Sequence, residues 1–355
     1  MADIGGKVGL TLCSLLGALA LGEALVRALD IAPEMLRFDT ASRSSSFRLS
    51  DNPILGFEMK ESVRPEGPST GRSFRTNSHG QRDIERALEK TGTRILLLGD
   101  SVVQGIRTPA LDDTISRQLE QLLEPRGIEV LNFGVSGYNT LAEAELFETK
   151  GLAFDPDLVI LVFVANDQWS GPGDEMKHAT YERPPLVNWL LDHALLFRSV
   201  VSKLQLFKFG LKKEAVAQNI EALGTGAMAV GLERLDKLIA AQGGQLLILL
   251  WPTFDKKEVF YPPFLFPRSG GETMHVEKLA TRLGLETFRM AEAFRQDYEA
   301  TAGEKEPPVT HYTGGPQLQR SVGDGMHPNE RASRLAAEAI RDILIANPEY
   351  LSDAR

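Results

Sequence analysis

The chain holds a single cysteine, Cys13, in 355 residues. One thiol excludes a disulfide within the chain and a cysteine-ligated metal site, and it says nothing about redox compartment. Histidine is also sparse. His79, His178, His193, His275, His311 and His327 stand apart, and no pair has the H-E-x-x-H spacing that sets two imidazoles on one helix face for zinc. An excess of positive charge is absent too, with 39 Lys and Arg against 48 Asp and Glu and a net charge of -9. Nucleic acid is therefore not an expected partner, because composition suggests no phosphate-neutralising surface. Three familiar site motifs are missing around residues 99 to 105. Gly-x-Ser-x-Gly fails because Asp100 precedes Ser101 and Val103 takes the second glycine's place. G-x-G-x-x-G is not supplied between Gly99 and Gly105, and the lysine of a P-loop does not follow.

What is present begins with an apolar run, "KVGLTLCSLLGALALGEALVRAL", that carries no charge from Val8 to Gly22. A membrane-spanning helix takes about 20 apolar residues and a signal-peptide core roughly 7 to 15, so the run lies nearer the second range. A retained anchor is the preferred reading, ahead of cleavage after Ala18-Leu19-Ala20 and ahead of a helix packed on the domain through Glu23 and Arg27 at i, i+4. A lipoprotein reading fails because Leu12, not a small residue, precedes Cys13. Residues 1–30 are thus expected to be a signal anchor or signal peptide, and the Ser-, Arg-, Pro- and Gly-rich residues 31–90 a tether and irregular cap.

From Arg94 the texture changes. Runs rich in Leu, Val and Ile predict strands at 94–99, 129–134, 157–164, 245–251 and 284–289, and helical patterns lie at 112–123, 141–150, 214–242, 275–283 and 329–346. Strands apolar on both faces and separated by helices argue for a parallel sheet in a three-layer α/β domain over residues 91–350. A helical insertion at 168–225, carrying Trp169 and Trp189, is expected to pack over the sheet or to act as a lid. The aromatics Phe254, Phe260, Tyr261, Phe264 and Phe266 are expected near the same rim, to stack on sugar rings, hold an acyl chain or fill a core gap.

In an open parallel sheet ligands bind beyond the carboxyl ends of the strands. Those ends read Gly99-Asp100-Ser101, then "NFGVSGYNT", then "VFVANDQ", while "DGMHPNE" sets Asp324 and His327 three residues apart before the last helix. Acyl transfer through serine needs a base, a carboxylate to hold the imidazole and donors for an oxyanion. Ser101 is the candidate nucleophile, His327 the base and Asp324 its orienting carboxylate. The backbone N–H groups of Ser101 and Gly137 and the amide of Asn166 are the candidate oxyanion hole. Asp100 is read as a helix-dipole carboxylate. This chemistry requires no metal and no cofactor.

GDSxxxG, a glycine after the second strand, an Asn-Asp pair and a terminal DxxHP together resemble the SGNH, or GDSL, hydrolase family over residues of about 94 to 347. The resemblance implies a three-layer αβα sandwich with a flavodoxin-like parallel sheet, and it implies the same roles for Ser101, Asp324, His327, Gly137 and Asn166. The upstream "FRTNSHGQRD" resembles, more weakly, a segment of membrane-tethered bacterial members. Two departures stand out. The family's Gly-x-Asn-Asp reads Val164-Ala165-Asn166-Asp167, and "NERASR" continues the last helix where a glycine often follows the proline. The expected activity is hydrolysis of O-acyl esters of cell-envelope carbohydrate, or of lipid and small esters, by a membrane-anchored, extracytoplasmic enzyme. An O-acyltransferase using the same residues and a non-catalytic carbohydrate-binding protein are the alternatives.

Overall fold

The structure is a computed structural model, and it describes residues 2–29, 31–32, 46–64, 75–108, 110–168, 184–204, 227–254, 274–301, 308–313 and 325–351. A short antiparallel pair, β1 (Phe47–Leu49) and β2 (Phe57–Met59), precedes five strands that form one sheet. These are β3 (Arg94–Gly99), β4 (Glu129–Gly134), β5 (Leu158–Phe163), β6 (Gln245–Leu250) and β7 (Glu286–Arg289). All pairings in that sheet are parallel, in the order β4-β3-β5-β6-β7, which is the flavodoxin-like order.

Side chains alternate between the faces of a strand, and two cores follow from that alternation. Leu96 and Leu98 point into one core with the helices Thr140–Thr149, Ala227–Ala241 and Met274–Leu283. Ile95 and Leu97 point into the other with the helices Ile115–Leu123, Ala291–Thr301 and Glu330–Ala346. The result is an αβα sandwich in which the interior strand β3 and the central strand β5 are buried along their whole length.

Several elements differ from the sequence expectation. The helix expected at 214–242 is described as Ala227–Ala241, and residues 205–226 lie outside the described residues. The helix Ala291–Thr301 was not anticipated, although Phe294 and Tyr298 lie four apart on it and face the second core. Nor was the β1-β2 pair, which brings Phe47, Phe57 and Met59 into the first core beside Tyr138. Within the expected insertion, the structure describes the helices Pro185–His193 and Leu195–Lys203, and residues 169–183 and 205–225 lie outside the described residues. The two helices pack on each other and on the N-terminal helix Ala2–Leu29, where both carboxylate oxygens of Glu23 accept from the N–H groups of Leu195 and Leu196 at 3.0 and 2.7 Å. A carboxylate on that helix thus caps the start of another, satisfying N–H groups that have no intrahelical acceptor. Residues Gly6–Leu29 are long and apolar enough to cross a membrane.

Candidate active site

The strand β3 ends at Gly99, paired in register with Gly134 at the end of β4. These two glycines make the space through which the next turn passes. A Cβ on Gly134 would lie 2.1 Å from the Gln104 nitrogen and 2.6 Å from the Val103 carbonyl carbon. A Cβ on Gly99 would lie 2.6 Å from Val103 Cγ2 and 3.1 Å from the Val162 oxygen. The helix Ser101–Gln104 can therefore cross directly over the strand ends, and its first residue is the serine.

Both ends of that short helix are held. Asp100 Oδ1 accepts from the Val102 N–H at 2.9 Å, and Gly105, left-handed at φ 75°, closes the other end. Beyond it, Arg82 donates to the carbonyl of Gln104 at 3.0 Å, to that of Thr108 at 2.6 Å and to that of Gly105. Burial pulls the Arg82 guanidinium down to about 10. Beneath the turn, the Asn132 amide donates to the Val103 carbonyl at 3.0 Å and to Ser116 Oγ at 3.1 Å, while its oxygen accepts from the Gly134 N–H at 2.9 Å. Asp83, paired with Arg86 at 3.0 Å, accepts from the Asn132 N–H at 3.1 Å. The "HGQRD" segment thus forms part of the support beneath the serine.

Gln104 links the serine to the next strand end, since its oxygen accepts from the Ser136 N–H at 2.7 Å. Ser136 and Gly137 are the central residues of a turn closed by the Tyr138 N–H on the Val135 carbonyl at 3.1 Å. Gly137 has φ 84°, the left-handed value that the third position of a type II turn requires. The third strand end closes similarly. Asp167 Oδ2 accepts from the Val164 N–H at 2.7 Å and its own N–H donates to the Val164 carbonyl at 3.0 Å. That turn presents Asn166, whose amide donates to Asp100 Oδ2 at 3.3 Å.

His327 arrives from the far end of the chain on a loop fixed by the opposite core. The indole N–H of Trp251 donates to the Met326 carbonyl at 2.7 Å, and the Phe254 N–H to the Gly325 carbonyl at 2.5 Å. Asn329 caps the last helix by accepting from the Ala332 N–H at 2.9 Å, and its N–H donates to the Tyr312 carbonyl at 2.8 Å. Between these anchors His327 Nε2 stands 2.7 Å from Ser101 Oγ. Ser101 Oγ also lies 3.1 Å from Asp100 Oδ2. Ser101 and His327 are thus in direct contact, Asn166 is joined to Ser101 through the shared Asp100 Oδ2, and Gly137 lies in the turn that Gln104 ties to the serine helix. Asp324 lies outside the described residues.

Sequence reasoning missed several groups here. Glu143, on the buried helix Thr140–Thr149, is fully buried, and neither of its carboxylate oxygens meets a hydrogen-bond partner among the described residues. Burial pushes its carboxyl well above the ordinary range, reinforced by the charge of Asp100. Burial pushes Asp167 up likewise, reinforced by Glu143 and Asp100 and opposed by the Val164 N–H. Three carboxyl groups therefore share the space behind the serine, and two of them are held toward the protonated form. Gln104 and Trp251 were missed too, because their contacts are tertiary. Phe254 fills the core against Trp251, Phe294 and Tyr312 at ring separations of 5.9, 4.9 and 5.1 Å. It is not a rim residue, and Phe260, Tyr261, Phe264 and Phe266 lie outside the described residues. Among the described residues no group of three or more His, Cys, Asp or Glu side chains is arranged to hold a metal ion.

Comparison with curated protein sequences finds no match. Among solved structures, the chain is similar to a two-domain esterase active on acetylated mannans, at 14% identity and a TM-score of 0.40, covering 74% of this chain and 51% of that one. It spans about half the length of that two-domain protein. It is also similar to an acetylxylan esterase from Geobacillus stearothermophilus, at 15% identity and a TM-score of 0.41, covering 72% and 95%. An esterase from Pseudoalteromonas sp. has 15% identity and a TM-score of 0.41, covering 72% and 99%. The model of the GDSL-like Lipase/Acylhydrolase family matches residues 97–335, which is most of the chain and contains every strand of the sheet beyond the first half of β3, so the chain belongs to that family of ester-cleaving enzymes.

Proposed function

We propose that the chain is a membrane-anchored serine esterase that removes O-acyl groups from cell-envelope carbohydrate outside the cytoplasm. The observation that carries the catalytic part is the 2.7 Å approach of Ser101 Oγ to His327 Nε2 at the carboxyl end of the sheet. With its ring proton on Nδ1, His327 accepts the serine hydroxyl proton as Oγ attacks the ester carbonyl carbon. Asp324 is assigned the Nδ1 proton from its spacing in the sequence. The carbonyl oxygen takes up the negative charge and accepts from the Ser101 and Gly137 N–H groups and from the Asn166 amide. That amide carries two hydrogens. One is held by Asp100, and the other is assigned to the oxyanion. Collapse breaks the bond to the alcohol, His327 returns the proton to the departing oxygen, and water repeats the sequence on the acyl-enzyme.

The anchor and the placement outside the cytoplasm rest on the apolar helix within Gly6–Leu29. The carbohydrate substrate class is our inference from a site tethered at the envelope. The test is p-nitrophenyl acetate hydrolysis by the full chain and by Ser101→Ala, followed by acetate release from O-acetylated glycan with and without free carbohydrate acceptor. Turnover lost in Ser101→Ala, with acetate released from glycan irrespective of acceptor, is expected. Acetate moved to the acceptor instead of to water would make the enzyme an acyltransferase. Equal rates in parent and variant would overturn the assignment of the serine.

A further inference from the structure

The helices Pro185–His193 and Leu195–Lys203 fold on one another around Leu191 and Val201, which are buried, with Val187 and Phe197 beside them. Their other faces expose large apolar side chains. Leu186, Trp189, Val200 and Leu204 are 67%, 55%, 44% and 62% exposed. Spacings of three and four put Leu186 with Trp189, and Val200 with Leu204, on single helix faces. Isolated apolar side chains on a surface need no explanation, but paired ones on adjoining helices do.

What adjoins them is the end of the N-terminal apolar helix. Glu23 caps the helix Leu195–Lys203, and Arg27 donates to the His193 carbonyl at the end of the preceding helix, so one turn of the N-terminal helix holds both partners at their junction. Gly22 makes the approach close, since a Cβ there would lie 2.9 Å from Leu196 Cδ2. Glu23 is also the first charge after the run from Val8 to Gly22. The hairpin therefore joins at the level where the apolar span stops.

The uncharged part of the span is short, although Gly6–Leu29 as a whole is long enough to cross. Val8 to Gly22 gives about 22 Å of helix at about 1.5 Å per residue, against a hydrocarbon layer about 30 Å thick. A short span is accommodated by bilayer thinning or by flanking groups that extend the apolar belt. We propose that the hairpin 185–204 lies in the lipid interface beside the end of the anchor, with Leu186, Trp189, Val200 and Leu204 seated at the headgroup and acyl boundary. Tryptophan suits that depth, because its ring is apolar and its N–H stays near water. The occupant of this surface is lipid, because Glu23 and Arg27 bind the hairpin to the end of the anchor. The inference rests on the membrane part of the proposed function, and it adds that the domain is held against the bilayer by a second element instead of swinging on a tether.

The sole cysteine makes the test direct. In a full chain carrying Cys13→Ser, single cysteines are introduced by Leu186→Cys, Val200→Cys, Leu16→Cys within the span, and Asp342→Cys on the exposed side of the last helix, and each is labelled with an environment-sensitive fluorophore. Each labelled chain is checked for the parent melting temperature. The chains are placed in vesicles of phosphatidylethanolamine and phosphatidylglycerol, with and without bromine on the acyl chains. Positions 186, 200 and 16 are expected to shift to the blue and to lose most of their emission to the brominated lipid, while position 342 does neither. Quenching at 16 with 186 and 200 behaving like 342 would overturn the interface and leave the anchor standing. A blue shift at 186 and 200 without quenching would mean that protein covers them, and it would overturn the proposal in favour of a second copy. No quenching at 16 would remove the anchor and the inference with it.

Discussion

Replacing Gly134 with alanine tests whether the space between two strand ends positions the nucleophile. The new methyl would sit 2.1 Å from the Gln104 nitrogen and 2.7 Å from its Cα, both of them backbone atoms of the helix that begins at Ser101. Ordinary contacts begin near 3.4 Å. The helix and β4 would therefore have to part by roughly 1 Å, at an overpacking cost of about 1–3 kcal/mol. β4 cannot yield easily, because it is in register with β3 along its length and Asn132 holds the same turn from below. The displacement falls on the turn, and with it on the 2.7 Å contact between Ser101 and His327. Misplacement by about 1 Å costs on the order of 100-fold in rate. The assay is kcat on p-nitrophenyl acetate at saturating substrate, with melting temperature measured on the same sample. Gly127→Ala is the control. Its φ of 66° makes alanine strained, but among the described residues a Cβ there would meet no atom beyond its chain neighbours within 4 Å, so stability falls by about 1 kcal/mol while kcat stays at the parent value. A folded Gly134→Ala with kcat within about threefold of the parent would refute the reasoning, since overpacking of this size would then not reach the serine.

Other expectations follow from the same support. Gln104→Leu removes the acceptor that holds the Ser136 N–H, so kcat should drop by about tenfold or more with KM little changed, as expected when an oxyanion turn loosens; a change confined to KM would count against that role. Trp251→Phe keeps an aromatic side chain but shrinks it and frees the Met326 carbonyl, and a loss of about 1–3 kcal/mol in stability should accompany a lower kcat. Glu143→Gln tests the buried carboxyls through pH. Because the folded Glu143 carboxyl is raised, its favourable contribution is complete below the ordinary value of about 4.3 and is lost as pH climbs through the raised one. Parent and variant should melt alike near about pH 4, with the variant increasingly the more stable as pH rises. Melting curves that converge with rising pH would contradict this.

The strands were legible because their signal is local. Leu, Val and Ile fill both faces of β3 and β5, and the boundaries at 94–99 and 129–134 need only the run and the glycine that ends it. The contact of Ser101 with His327 was legible for a different reason, since both lie where chain direction and strand order bring loop ends to one edge of a parallel sheet. Arg82, Asp83 and Arg86 were not, because a Ser- and Gly-rich setting reads as loop, and only the folded chain shows their charges buried beneath the serine turn. Gln104 and Asn132 act across the sheet with no periodicity to mark them. Glu143 left a faint trace: it stands among Ala142, Ala144 and Leu146 on a helix with no polar face. The hairpin 185–203 was readable as helical, but period alone does not name the surface a helix packs against, and Glu23 supplies that surface from 172 residues away.

The central claim is that Ser101 is made nucleophilic by His327. The most direct measurement is covalent labelling of the full chain with a fluorophosphonate, with the modified residue located by peptide mass and the labelling rate compared in His327→Ala. The account predicts one adduct, on Ser101, and a labelling rate reduced by at least about 100-fold in His327→Ala at unchanged melting temperature. An adduct on another residue, or labelling of Ser101 that is indifferent to His327, would contradict it.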